Sequence, residues 1–166
     1  MAVMKTINRR GKYRDPGARE DIARYILAPL KVQSGFMAGV GITEDIVGSM
    51  NEVAEKFGKT NGVQLRHFII AFDPDEIAEP SEAYEIGCQI ACFLGQQYQL
   101  VFAVHEDTPN LHIHFMLNSI SYRDGHRYSG TKKEYYCLIN YLGRLLKREY
   151  GIILCTVSNR SHIDIQ

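Results

Sequence analysis

Half of the six histidines fall within ten positions, at His105, His112 and His114. Residues 111–120 read LHIHFMLNSI, apolar at every other position, which is the pattern of a β-strand with one face turned to a core. Leu111, Ile113, Phe115 and Leu117 then share the core face, and His112, His114, Met116 and Asn118 the opposite one. Two residues at about 3.3 Å each set the two imidazoles roughly 6–7 Å apart along the strand. The preceding stretch YQLVFAVH, residues 98–105, is a second strand, and the turn-rich residues 106–110 close an antiparallel hairpin. That pairing places His105 across from His112 with Cβ atoms about 4.5–5.5 Å apart. Three neutral imidazoles converging on one point can hold a divalent cation and leave positions open for substrate or water.

An imidazole ligand binds best when its second nitrogen is oriented by an acceptor. Asp107, Glu106 and Asn118 are the candidates, Asp107 foremost, although Asp107 would equally serve as a turn residue ahead of Pro109. His67, His126 and His162 have no such company and read as structural or surface residues.

The elements that must carry these residues alternate between helix and strand. Asp15-Pro16 caps a first helix that runs toward Pro29 and carries Ile22, Tyr25 and Ile26. A glycine-punctuated stretch over 35–41 leads to Thr43, read as the cap of a second helix with Ile46, Val47, Met50, Val53 and Phe57 on one face. Residues 65–72, LRHFIIAF, form a strand covered on both faces. Ser81 is read as the cap of a third helix ending at Gly95, and Thr131 with Glu134 as a capping box opening a fourth that Gly151 ends. Residues 152–157 form a last short strand. The fold class is α+β: one mainly antiparallel sheet with helices on one face.

With 166 residues, 45% of them hydrophobic and 23% charged, the chain has the composition of a single globular domain over 1–166, with residues 1–14 as a flexible basic arm. No apolar run approaches the roughly 20 residues of a membrane span, and no signal peptide is evident, so a soluble, cytoplasmic protein without a membrane partner is expected. The four cysteines include no CxxC pair and read as reduced, mostly buried thiols. A net charge of zero conceals segregation: residues 1–35 carry eight basic against three acidic side chains, 36–110 three against twelve, and 111–166 eight against four. Were the fold to join the two ends, a basic face suited to phosphates would result; merely solvated faces are the alternative.

The segment HEDTPNLHIHFMLN, residues 105–118, resembles the metal motif of plasmid and transposon relaxases, the mobilisation nucleases of the His-hydrophobic-His (HUH) endonuclease superfamily. A helix bearing Ala23-Arg24-Tyr25-Ile26, the strand at 67–72 and a segment from Tyr128 onward follow the same order, so the resemblance covers roughly residues 18–152. It implies a five-stranded antiparallel sheet and a tyrosine that attacks one phosphodiester of single-stranded DNA at an origin of transfer, leaving a 5′-phosphotyrosine and a free 3′-hydroxyl. By position Tyr25 matches that nucleophile, with Tyr13 the runner-up, and His105, His112 and His114 match the ligands of Mg²⁺ or Mn²⁺. Accessory relaxosome proteins are implied as partners.

The chemistry is sound in itself. A phosphodiester repels nucleophiles and a phenol ionises only near pH ~10, so a cation that neutralises phosphoryl charge answers both difficulties. A phosphotyrosine also retains the bond energy, so the 3′-hydroxyl can reseal the strand. Arg24, Lys31, Arg123, Arg127, Lys132 and Lys133 are candidate contacts to the DNA backbone. Two other readings stay open at this level: a DNA-binding module that does not cleave, and a replication initiator or hydrolase using the same histidines.

Overall fold

The structure is a computed structural model that describes residues 1–8 and 11–157; His162, Arg9 and Arg10 lie outside the described residues. Among the described residues six strands form one sheet: β1 (Ala2–Ile7), β2 (Met37–Val40), β3 (Leu65–Ala71), β4 (Leu100–His105), β5 (His112–Asn118) and β6 (Leu154–Val157). Four α-helices among the described residues accompany them: α1 (Ala18–Ile26), α2 (Ile46–Lys56), α3 (Pro80–Leu94) and α4 (Lys132–Tyr150). The strand order is β2-β4-β5-β3-β1-β6, and every pairing is antiparallel except β1 with β6. The class is the α+β expected, with six strands where five were implied.

Helices cover both faces of the sheet, not one. On one side Phe68, Ile70, Phe102, Val104, Ile113, Phe115 and Leu117 meet Ala83, Ile86 and Ile90 of α3 and Leu138, Leu142, Leu145 and Leu146 of α4. On the other, Leu65, Val101, Ala103 and Met116 meet Ile22, Ala23 and Ile26 of α1, Met50 of α2 and Tyr13, which a 3₁₀ turn over Lys12–Arg14 carries inward. The central strands are therefore buried on both sides, and the polar groups at their inward positions, His67, His105, His114 and Asn118, are buried too. This is why β4 and β5 read as near-continuous apolar runs interrupted only by the histidines and Asn118.

The expected flexible arm is, over residues 2–7, an interior strand between β3 and β6. Ala2 and Met4 bury themselves at alternate positions, a pattern that the basic residues after it obscure. The glycine stretch at 35–41 contains β2, a four-residue edge strand on β4. The starts of three helices also shift: α1 opens at Ala18 after Gly17, not at Asp15-Pro16. Asp45, not Thr43, caps α2, its carboxylate accepting from the Gly48 amide at 2.9 Å; α3 starts at Pro80 after Glu79, not at Ser81. The Thr131/Glu134 capping box and the Gly151 terminus of α4 are as read. All four cysteines are free, but none is fully buried: Cys92 and Cys137 are exposed, and Cys88 and Cys155 are partly covered. No helix among the described residues is long and apolar enough to cross a membrane.

The seating of α3 gives one stability prediction. A Cβ on Gly87 would stand 2.4 Å from the ring of Phe102, which is itself held between Tyr84 and Phe115 at ring separations of 5.8 and 5.5 Å. Gly87→Ala gains about 1 kcal/mol of helix propensity, but overpacking a rigid core removes about 1–3 kcal/mol. The clash outweighs the propensity gain, and a lowered urea midpoint at unchanged slope is the expected result.

Candidate metal centre

The register of the hairpin is the one the alternation requires. His105 pairs with His112, and His114 lies between Ala103 of β4 and Ile69 of β3. The three rings cluster, with His105 stacked on His114 at a 4.0 Å centroid separation and His112 5.3 and 5.1 Å from the two. One ring nitrogen from each lies within 4.8 Å of one from each of the others.

Hydrogen bonds assign the nitrogens. His105 Nε2 donates to the Ile26 carbonyl at 2.7 Å, which leaves Nδ1 as the lone-pair atom. That Nδ1 is buried and has no hydrogen-bond partner among the described residues. His112 Nδ1 donates to the Asn110 carbonyl at 2.9 Å, leaving Nε2 available. His114 uses Nδ1 in a 2.9 Å contact with His67 Nε2, so Nε2 is its remaining nitrogen.

Electrostatics favour lone pairs over protons. Burial is the main cause that lowers the His105 pKa to about 4, and it pushes His114 further down, with the neighbouring imidazoles His105, His67 and His112 adding to the effect. Both rings are neutral at pH 7, the form in which imidazole ligates a metal. An orphaned buried acceptor, neutral rings and three convergent nitrogens fit a divalent cation held by His105, His112 and His114.

Tyr25 occupies the last turn of α1, above this cluster. Its ring stands edge-on to His114 at 5.6 Å, His105 at 6.0 Å and His67 at 6.5 Å, and the residue is 41% exposed. Ile22, Ala23 and Ile26 bury one face of the helix against the sheet, and Tyr25, three residues after Ile22, emerges at the edge of that face, over the histidines. Tyr13, the runner-up, is only 5% exposed and its hydroxyl lies 3.1 Å from His67 Nδ1; it is a buried anchor.

Lys31 closes the rim. Its ammonium lies 5.0 Å from the centre of the Tyr25 ring and donates to Asp107 Oδ2 at 2.6 Å. The bond to Asp107 raises the Lys31 pKa above its ordinary value. Partial burial opposes ionisation of Asp107, but Lys31 outweighs it and holds the carboxyl below the usual carboxylate range. Asp107 Oδ1 is 3.6 Å from His112 Nε2. The carboxylate thus approaches the outward nitrogen of His112, while the acceptor behind that ring is the Asn110 carbonyl.

Two expectations need correction. Asn118 orients no histidine: Arg19 donates to its Oδ1 at 2.9 Å, and its amide donates to Gln99 Oε1 and to the Met50 carbonyl. It shares the histidines' face, but four residues beyond His114 is about 13 Å along a strand. There it ties α1, α2 and Gln99, the residue before β4, together with a buried Arg19, whose pKa burial lowers to about 10. His67, read as lacking company, is in the cluster. It lies on β3 two positions from Ile69, the cross-strand partner of His114. The signal was a polar side chain at an inward position of a strand covered on both faces.

The basic residues divide. Lys31 is at the site, and Arg24, on the exposed side of α1, is paired with Glu20 at 3.0 Å and Asp21 at 3.8 Å. Arg123, Arg127, Lys132 and Lys133 follow the far end of β5. Arg127 spends its guanidinium on the Val63 and Asn61 carbonyls at 2.5 and 2.7 Å, and Arg123 donates to the Gln96 carbonyl. The structure does not bring these four to the histidines.

Fold and site together define a class: an α+β domain whose central strands gather three imidazoles beside an accessible phenol. The family model for the relaxase, MobA/VirD2-like, nuclease domain matches residues 25–152, and the chain belongs to that family. It is 33% identical over 78 residues to Protein rlx of Staphylococcus aureus, covering 47% of this chain and 24% of that protein. It is 34% identical over 82 residues to the group II intron-interrupted relaxase LtrB of Lactococcus lactis subsp. cremoris, covering 49% of this chain and 15% of that protein. The matches thus span about a quarter or less of these relatives.

Proposed function

We propose that the chain nicks one strand of DNA at an origin of transfer by tyrosine transesterification, in conjugative transfer or mobilisation of a plasmid or transposon. The observation that carries this reading is Tyr25, exposed and edge-on to His105 and His114 at the mouth of the three-histidine cluster. His105, His112 and His114 would hold Mg²⁺ or Mn²⁺, which when bound neutralises charge on the phosphoryl oxygens and orients them for in-line attack. Tyr25 Oη forms a bond to phosphorus and the bond from phosphorus to the 3′-oxygen breaks. The phenolic proton reaches the departing 3′-oxygen by way of solvent, leaving a 5′-phosphotyrosine and a 3′-hydroxyl. Lys31, charged and beside both Tyr25 and Asp107, is placed to meet the same phosphate. Arg24 and the basic residues beyond β5 would meet DNA farther from the reacting atom, and relaxosome proteins would supply further contacts.

The test is incubation with labelled single-stranded origin DNA from the element that carries the coding sequence, plus Mn²⁺. A covalent protein–DNA band that resists denaturation, with a matching 3′-hydroxyl fragment, is expected. Cleavage without a band would make water the nucleophile, and binding without cleavage would make the chain a module; either result overturns the reading.

A further inference from the structure

His105 and His112 each have a backbone carbonyl behind the ring, at Ile26 and Asn110. A carbonyl only accepts, so it fixes the ring's proton and leaves no choice about which nitrogen faces outward. His114 is different. Behind it stands His67, and behind His67 stands Tyr13: the contacts are 2.9 Å from His114 Nδ1 to His67 Nε2 and 3.1 Å from His67 Nδ1 to the Tyr13 hydroxyl. All three residues are buried. An imidazole and a phenol can each donate or accept, so the line admits two arrangements of hydrogens.

In the first, Tyr13 donates to His67 Nδ1 and His67 Nε2 donates to His114 Nδ1. His114 then carries its proton on Nε2 and offers no lone pair outward. In the second, His114 Nδ1 donates to His67 Nε2 and His67 Nδ1 donates to the Tyr13 oxygen, which frees the His114 Nε2 lone pair. Both arrangements hold the same number of protons and are neutral; they differ in the tautomer of two rings and the rotation of one hydroxyl. Only the second is compatible with His114 as a ligand.

We propose that His67 is a positioning residue for the cation, anchored by Tyr13, which presents His114 as the Nδ1–H tautomer with Nε2 toward the metal. The inference rests on the metal-centre reading above and goes beyond it by assigning the two residues that the family-type triad does not include. The strands dictate the geometry. His67 and His114 are diagonal neighbours on adjacent antiparallel strands, on one face, where side chains of this length reach each other. Outer residues of this kind orient the ring and raise its basicity, and their loss typically weakens metal affinity about 10–100-fold.

Calorimetry with Mn²⁺ alone tests this in the wild type and four variants. Relative to wild type, His67→Phe keeps the ring volume but removes the acceptor, and affinity should fall about 10–100-fold. His67→Gln retains a side-chain carbonyl that can accept from His114 Nδ1, and should recover most of that loss, which a purely space-filling role would not predict. In a His114→Ala background His67→Phe should change affinity no further, because the two act through one ring. Should the phenylalanine variant not fold, nitrogen-15 spectra of the Zn²⁺-loaded wild type decide: a protonated Nδ1 on His114 is expected, and a protonated Nε2 overturns the proposal. Wild-type affinity in a folded His67→Phe protein overturns it as well, while leaving the metal centre standing. If the wild type binds neither ion, the metal-centre reading beneath it fails instead.

Discussion

Replacing Tyr25 by phenylalanine removes the covalent DNA adduct and leaves Mn²⁺ affinity at the wild-type value. Phenylalanine preserves the edge-on packing against His105 and His114 and deletes only the oxygen that would bond to phosphorus. Loss of a nucleophile that acts as one unit with its surroundings lowers turnover by roughly 10³-fold or more, so the adduct should fall below detection in a denaturing gel. The half-exposed position of the residue at a helix end makes a folding defect a poor alternative explanation, and a melting curve matching wild type would exclude it. An adduct that persists in Tyr25→Phe would move the nucleophile to another residue. Tyr13 is a weak claimant, since its hydroxyl lies buried against His67.

The sequence made the centre of this molecule legible because the hairpin is local. Six residues separate His105 from His112, so alternation and a short loop fix which side chains face each other, and the observed register follows. What joins the site from a distance was less visible. His67 is on a strand 47 residues from His114, and nothing in the spacing of HFII tells that β3 lies beside β5 and not at an edge. Lys31 meets Asp107 across 76 residues, through a loop whose path depends on α1 packing over the sheet. Asn118 misled for the opposite reason: alternation gives the face, but not how far along the strand the chemistry extends. The helices divided between two faces because α1 and α2 carry apolar stripes as good as those of α3 and α4, and periodicity does not say which side of a sheet a stripe will cover. β1 was hidden by the charge around it, since a basic stretch read as a solvated arm can still bury alternate side chains.

The second large effect concerns the ligands, where two alanine variants separate metal binding from packing. His114→Ala removes a ligand and should weaken Mn²⁺ affinity by more than the roughly 10–100-fold expected for an outer partner such as His67. It also strands the buried His67 Nε2 and leaves a void, so the metal-free protein should lose about 1–3 kcal/mol of stability. His112→Ala should weaken Mn²⁺ as severely but spare the metal-free fold, because His112 is only half-buried and its Nδ1 partner is a loop carbonyl. A cation that binds only the native state stabilises it by about 2.7 kcal/mol at one hundred times its dissociation constant, so the wild type should melt higher with Mn²⁺ and both variants should lose that rise. The pair is decisive because a structural histidine and a ligand give opposite patterns. If His112→Ala keeps the Mn²⁺-dependent rise, the cation is held without His112, which overturns its place among the ligands. If both variants lose it while only His114→Ala melts lower without metal, the two roles of His114, ligand toward the phosphate and hydrogen-bond partner toward His67, are separated in one experiment.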